Sequence, residues 1–249
     1  MPLMGYTAEV YRNEADIASA LETLLPKYNL QRKDIFLTSK LGPKSQGREA
    51  CRKACERSLQ NLKVDYLDLY LIHWPGSQGR KPEDSQNAVL RKETWLELEK
   101  LQKEGKLRAI GVSNYTATHL RELLSCCSVR PSVLQVECHP YLVQRQLVDL
   151  CRQEGVHFQA YSSLGSDGNK VLEDMTVKQI AAKCQRSPSQ ILLRWATQQG
   201  IGVIPRSTKP THIRENFQVF DFSLDPSDVD KMNLLDRSEH FCWDPVKVC

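Results

Sequence analysis

Three side chains in the first third of the chain are of the types that carbonyl reduction requires: Tyr11, Lys40 and His73. Hydride addition to a carbonyl carbon leaves negative charge on oxygen, which must be protonated or stabilised as it develops. A phenol with a pKa of about 10 is a weak acid near neutrality, and an adjacent ammonium strengthens it by favouring phenolate. Tyr11 is therefore the candidate proton donor, Lys40 the group that tunes it, and His73 the donor of a hydrogen bond that orients the carbonyl. Taken singly, Lys40 reads as readily as a solvated strand end, and His73, before Trp74 and Pro75, as a satisfied core histidine. Their convergence at the ends of three successive units favours chemistry.

Short apolar runs alternate with helical patterns along the whole chain, the signature of a parallel sheet built from strand-helix units. Strands are predicted over Asp34–Lys40, Tyr66–His73, Leu107–Ser113, Val133–His139, Val156–Tyr161 and Gly202–Arg206, with Met4–Glu9 as a shortened strand ahead of them. Helical stripes run through Ile17, Leu21, Leu24 and Leu25, through Cys51, Cys55, Leu59 and Leu62, and through Trp95, Leu98 and Leu101. Asn13 and Ser187-Pro188 read as helix starts, Gly105 and Gly200 as stops. A helix over Pro226–Asp236 precedes an aromatic tail through Phe241, Trp243 and Pro245. The length of 249 residues matches the roughly 250 of a (β/α) barrel, and no linker interrupts it, so a single domain over residues 1–249 is expected. In such a barrel the chemistry gathers at the C-terminal ends of the strands, where Lys40, His73, Ser113, Gln135, Glu137, His139, Tyr161 and Arg206 fall.

The net charge of +4 is small and its Lys and Arg residues are interspersed with Asp and Glu, which argues against nucleic acid as a partner and leaves room for a local basic pocket that takes a phosphate. Nine cysteines without a C-x-x-C pair read as reduced, mostly structural thiols. The opening Met1–Tyr6 lacks a charged n-region and an apolar h-region, and no apolar run approaches membrane-spanning length, so a cytoplasmic protein with no membrane partner is expected. Glu137, Cys138 and His139 are a conceivable metal cluster, but strand alternation turns residue 138 away from the other two. No metal site is expected.

The run Tyr6-Thr7-Ala8-Glu9-Val10-Tyr11-Arg12-Asn13-Glu14 resembles the D-T-A-x-x-Y-x-N-E motif of the aldo-keto reductases. Similar matches follow in the family's order: Lys40 in Leu37–Leu41, His73 in Leu71–Pro75, Gly111–Tyr115, Leu134–Pro140, Ala160–Leu164, Val203–Lys209 and Ile213–Asn216. The resemblance implies an α/β TIM (β/α)8 barrel of the aldo-keto reductase type and NADPH-dependent reduction of a small aldehyde or ketone. Tyr11 takes the place of the general acid, with Lys40 and His73 as its partners. It further implies that Ser113, Asn114 and Gln135 hold the nicotinamide carboxamide and that Tyr161 stacks on the ring, with Ser162 and Leu164 also among the residues that bind NADP(H). Arg206, Ser207 and Thr208 match the grip on the adenosine 2′-phosphate, and Glu215 and Asn216 the adenine contacts.

Three departures qualify that pattern. The family's first strand-helix unit has no counterpart before the motif, so the barrel is expected to lack it; the abrupt start reads as an alternative first exon or an incomplete gene model. Tyr6 stands where the family has the aspartate that pairs with the catalytic lysine, and His212, kept among the cofactor residues, stands where many relatives carry a second phosphate-binding arginine. Preference for NADPH over NADH is accordingly expected to be weaker. The competing reading is a catalytically silent cofactor-binding or structural member on the same scaffold. The short tail suggests a pocket similar to those of small-carbonyl and sugar-ketone reductases, and nothing in the sequence fixes an oligomeric state.

Overall fold

The computed structural model describes residues 3–165 and 170–249, so the reading of Met1 and Pro2 lies outside the described residues. The chain falls into two compact units, Met1–Leu134 with Pro245–Cys249, and Gln135–Asp244.

In the first unit, strands and helices alternate as β1 (Leu3–Tyr6), α1 (Glu14–Lys27), β2 (Ile35–Leu41), α2 (Arg48–Leu62), β3 (Leu67–Ile72), α3 (Gln86–Lys103), β4 (Leu107–Ser113) and α4 (Ala117–Cys126). The four strands pair in parallel in chain order, with Tyr6 opposite Thr38, Lys40 opposite Leu71 and Ile72 opposite Val112. Every residue of β3 is buried, as expected where a parallel strand is covered on both faces. Its one charge, Asp68, is compensated: the carboxylate accepts from the Leu37 amide at 2.9 Å and pairs with Arg32 at 2.7 Å and Arg108 at 3.1 Å. Two of the three stripes read from the sequence are buried, Cys51, Cys55, Leu59 and Leu62 on α2 and Trp95, Leu98 and Leu101 on α3. The stripe on α1 is not, since Ile17, Leu21 and Leu25 are half-buried, Leu24 is exposed, and the residues that α1 buries are Glu14 and Ala18. Gly111 is required inside β4 because a β-carbon there would collide with the Val133 carbonyl oxygen.

β5 (Val133–Glu137) begins in the first unit and ends in the second. The second continues with α5 (Arg145–Glu154), β6 (His157–Tyr161), α6 (Met175–Cys184), α7 (Pro188–Gln198), β7 (Gly202–Val203), α8 (Pro210–Phe217) and α9 (Pro226–Asn233). β6 and β7 pair in parallel, Gln159 opposite Gly202. α7 starts as its sequence announces, with the Ser187 hydroxyl accepting from the Gln190 amide and Pro188 in the first turn.

Several expected boundaries move. β7 stops at Val203 and leaves Arg206 in a loop, because Pro205 has no N–H to give a ladder. β5 ends at Glu137, and His139, just before Pro140, makes an antiparallel bridge to Leu142. The predicted strand over Met4–Glu9 ends at Tyr6, and Glu9–Tyr11 winds into a 3-10 turn. Asn13 occupies the N-cap position of α1, but its side-chain oxygen accepts from the Thr7 hydroxyl at 2.6 Å and caps nothing. The helix predicted over Pro226–Asp236 ends at Asn233.

Candidate active site

The candidate acid is set by a short turn. Beyond β1 the Thr7 amide extends the ladder to the Thr38 carbonyl at 2.9 Å, and the turn then closes with the Tyr11 amide on the Ala8 carbonyl at 2.9 Å. Glu9 inside that turn is a clamp: its carboxylate accepts from the Gly42 amide at 2.8 Å, the Ser45 hydroxyl at 3.0 Å and Arg57 at 2.8 Å. The turn carrying Tyr11 is thereby tied to the loop that follows β2 and to α2.

Tyr11 is half-exposed, 49 %, whereas Lys40 is 1 % exposed. Lys40 Nζ donates to Tyr11 Oη at 3.0 Å and lies 4.0 Å from the centroid of the Tyr6 ring. The His73 ring meets Tyr11 edge-on, with centroids 5.7 Å apart and planes at 87°. Beyond β3, the His73 amide donates to the Leu41 carbonyl at 3.1 Å, and its own carbonyl accepts from Asn114 Nδ2 at 2.8 Å. The structure thus brings the three residues selected from the sequence into one cluster.

Burial brings the Lys40 ammonium down from 10.5 to about 7, and burial together with the Lys40 charge brings His73 down to about 3. His73 is therefore a neutral imidazole near neutrality, a form able to donate or accept a hydrogen bond. Lys40 changes charge in the physiological range. Between about 7 and 10.5 the folded chain has released a proton that the unfolded chain still holds, so this group makes stability rise with pH across that window and imposes its full penalty below it. Its effect on an acid runs the other way: as Lys40 loses charge, Tyr11 loses the ammonium that favours phenolate. Any proton donation by Tyr11 is expected to fall as pH rises through about 7, which a pH-rate profile with substrate in excess would check.

Ser113 ends β4 and is buried; Asn114 Nδ2 donates to its hydroxyl at 3.2 Å. Asn114 takes a left-handed conformation, φ 61°, as does Ser162 at φ 52°, a backbone region that non-glycine residues hold at a cost and that concentrates at functional sites. In the second unit Gln135 on β5 donates to Gln159 Oε1 at 2.7 Å, and Tyr161 ends β6. A pocket in that unit is lined by Leu164, Ser189, Arg206, Ser207, His212, Glu215 and Asn216. Six of these were selected from the sequence; Thr208, also selected, is exposed and does not line it. Ser189 was missed, although the Ser187-Pro188 helix start was a signal that the first turn of α7 opens beside it.

Glu137 and His139 prove to be tied to each other and to the tail. His139 Nε2 lies 3.0 Å from Glu137 Oε1, and the Phe241 and Cys242 amides donate to the same carboxylate at 2.8 and 3.1 Å. Burial pushes this carboxyl up, but the bonds from His139 and the two amides outweigh it and the net shift is downward. Among the described residues no cluster of His, Cys, Asp and Glu is arranged to hold a metal, and no helix is long and apolar enough to cross a membrane. The nine cysteines are free, and burial pushes the Cys55 and Cys151 thiols up to about 12.

A sequence model described as the Aldo/keto reductase family matches residues 6–237. The chain belongs to the aldo-keto reductase family. It is 41 % identical to the glyoxal reductase of Bacillus subtilis (strain 168) over 233 residues, covering 94 % of this chain and 78 % of that protein. Aldose reductase B of Dictyostelium discoideum is 38 % identical over 256 residues, 97 % of this chain and 82 % of its own length. The solved aldose reductase of Schistosoma japonicum superposes with a TM-score of 0.86 at 39 % identity, covering 95 % of this chain and 80 % of that one. The fold is accordingly that of the family's (β/α)8 barrel, with seven strands among the described residues. Glu9 was the other residue that motif reading missed; it occupies one of the family motif's unspecified positions, so only the geometry discloses its clamp.

Proposed function

We propose that the chain reduces aldehydes or ketones to alcohols with NADPH, in the cytosol and on small-molecule carbonyls. The observation that carries this reading is the Lys40–Tyr11 hydrogen bond of 3.0 Å beside the neutral His73 ring. When bound, NADPH supplies the hydride. Tyr11 Oη donates the proton that the carbonyl oxygen takes up, Lys40 stabilises the phenolate that remains, and His73 aligns the carbonyl. Ser113, Asn114, Gln135, Tyr161 and Ser162 are assigned to the nicotinamide end.

The pocket on α7 and the Arg206 loop fits the other end of the cofactor. An exposed guanidinium, hydroxyls from Ser189 and Ser207, and the His212 and Asn216 side chains give the lining several donors beside its one carboxylate, Glu215. The donors suit a phosphate monoester, and arginine can engage such a group with two hydrogen bonds. Arg206 and Ser207 would hold the 2′-phosphate, with Thr208 and His212 beside them, and Leu164, Glu215 and Asn216 would meet the adenosine. Hydrogen bonds to charged groups contribute roughly 1.5–3 kcal/mol, so Arg206→Ala is expected to weaken NADPH about 10- to 100-fold and NADH hardly at all. Fluorescence titration with both cofactors measures this, and equal losses for the two would remove Arg206 from the phosphate site.

The test of the whole reading is consumption of NADPH, followed by absorbance, across a panel of small aldehydes and ketones, alongside a thermal-shift titration with the cofactor alone. Saturable stabilisation with turnover supports the reductase. Stabilisation without turnover of any carbonyl would leave the catalytically silent cofactor-binding member.

A further inference from the structure

Lys40 is a buried amine with an unusual set of neighbours. The groups that face it are Tyr6 from β1, Tyr11 from the 3-10 turn, and His73 beyond β3. The two nearby carboxylates on the preceding segment are committed elsewhere: Glu9 to Gly42, Ser45 and Arg57, and Glu14 to the Ser39 hydroxyl at 2.8 Å and Asn61 at 3.1 Å. What lies against the ammonium is aromatic, with the Tyr6 centroid at 4.0 Å and the Tyr11 centroid at 4.7 Å from Nζ. Strand register accounts for the Tyr6 contact. Tyr6 pairs with Thr38, and Lys40, two residues on, shares the Thr38 face of β2.

An aromatic face attracts a cation through its quadrupole. It differs from a carboxylate in two respects: it holds no net charge, and it cannot bind the proton. A carboxylate at this place would keep the lysine charged far above neutrality, whereas a ring keeps the amine in position and leaves its charge free to titrate. We propose that Tyr6 is a positioning residue for the reduction, its ring face holding the Lys40 amine against the Tyr11 hydroxyl without fixing the charge of that amine. The kinetic part of this inference rests on the reductase reading; the contact itself does not.

The experiment is an NMR titration of isotopically labelled lysines in the full chain without cofactor, the Lys40 signal assigned by its loss in Lys40→Met. Wild type is compared with Tyr6→Phe, Tyr6→Leu and Tyr6→Asp. Tyr6→Phe keeps the ring and is expected to titrate as wild type does. Tyr6→Leu removes the attraction to the cation and lowers the midpoint, and Tyr6→Asp supplies a counter-charge that raises it by about one pH unit or more. Unchanged midpoints in both Tyr6→Leu and Tyr6→Asp would overturn the proposal. Should Tyr6→Asp fail to fold, the Phe and Leu variants decide between them: a separation supports the role of the ring, and coincidence overturns it. With NADPH and a turned-over carbonyl, the alkaline limb of kcat is expected to move with the Lys40 midpoint. A midpoint that shifts in a chain reducing no carbonyl sinks the reductase reading and leaves the Tyr6 contact standing. An active reductase whose Lys40 midpoint ignores all three substitutions does the reverse.

Discussion

Tyr11→Phe is expected to lower kcat/KM for carbonyl reduction by roughly 10²- to 10⁴-fold, the contribution typical of a positioned general acid, while leaving the fold intact. The hydroxyl is the one group lost, and it belongs to a residue 49 % exposed that accepts a hydrogen bond from Lys40. The ring remains to face His73, so thermal unfolding is expected to stay close to wild type. NADPH binding is expected to persist, since no cofactor contact is assigned to Tyr11. Steady-state kinetics and cofactor titration on the same preparation check both halves. Reduction at the wild-type rate by Tyr11→Phe would dismiss Tyr11 as the acid, and loss of cofactor binding would give the residue a different role.

The largest expected stability effect lies in the second unit. Glu137→Ala removes the acceptor for His139 Nε2 and for the amides of Phe241 and Cys242, and His139 is fully buried. Leaving buried donors without an acceptor costs roughly 3 kcal/mol or more, which for a chain of this size lowers Tm by on the order of 10 °C. Glu137→Gln keeps one acceptor oxygen and is expected to lose less. The carboxyl is held below its ordinary range, so its stabilisation is present at neutral pH and is lost as pH falls through the folded value; the gap between wild type and Glu137→Ala should narrow in acid. Calorimetry at neutral and acid pH measures both. A difference under about 1 kcal/mol at neutral pH would mean that the tail is held by other contacts.

Most of the first unit was legible because its signals are local. Buried parallel strands show as apolar runs and helices as periodic stripes, and a phenol, an amine and an imidazole stand out in three successive units, the phenol in the turn beyond β1. The residues that the sequence alone did not place act through contacts distant along the chain. Glu9 looks like one more acidic residue until the Gly42 amide and Arg57 are seen to converge on it. Glu137 and His139 lie two residues apart in sequence and invite a metal, yet the partner that explains them is the backbone more than a hundred residues later at Phe241. The boundaries that moved did so for local reasons that override propensity, chiefly Pro205 after β7 and the turn at Glu9–Tyr11 after β1. The effect of Tyr6 was legible only as a missing carboxylate; that its ring replaces the contact depends on the register of β1 against β2.

The Glu9 clamp bears on how the acid reaches its working geometry. Because one carboxylate joins the turn bearing Tyr11 to the loop after β2 and to Arg57 on α2, the Tyr11 phenol and the Lys40 amine that donates to it belong to a single mechanical block. Their relative position is set when the chain folds, and the entropy of aligning them is not taken from the encounter with substrate. Loosening that block from its far side, at Ser45 or Arg57, would blur the spacing between two groups that neither residue touches.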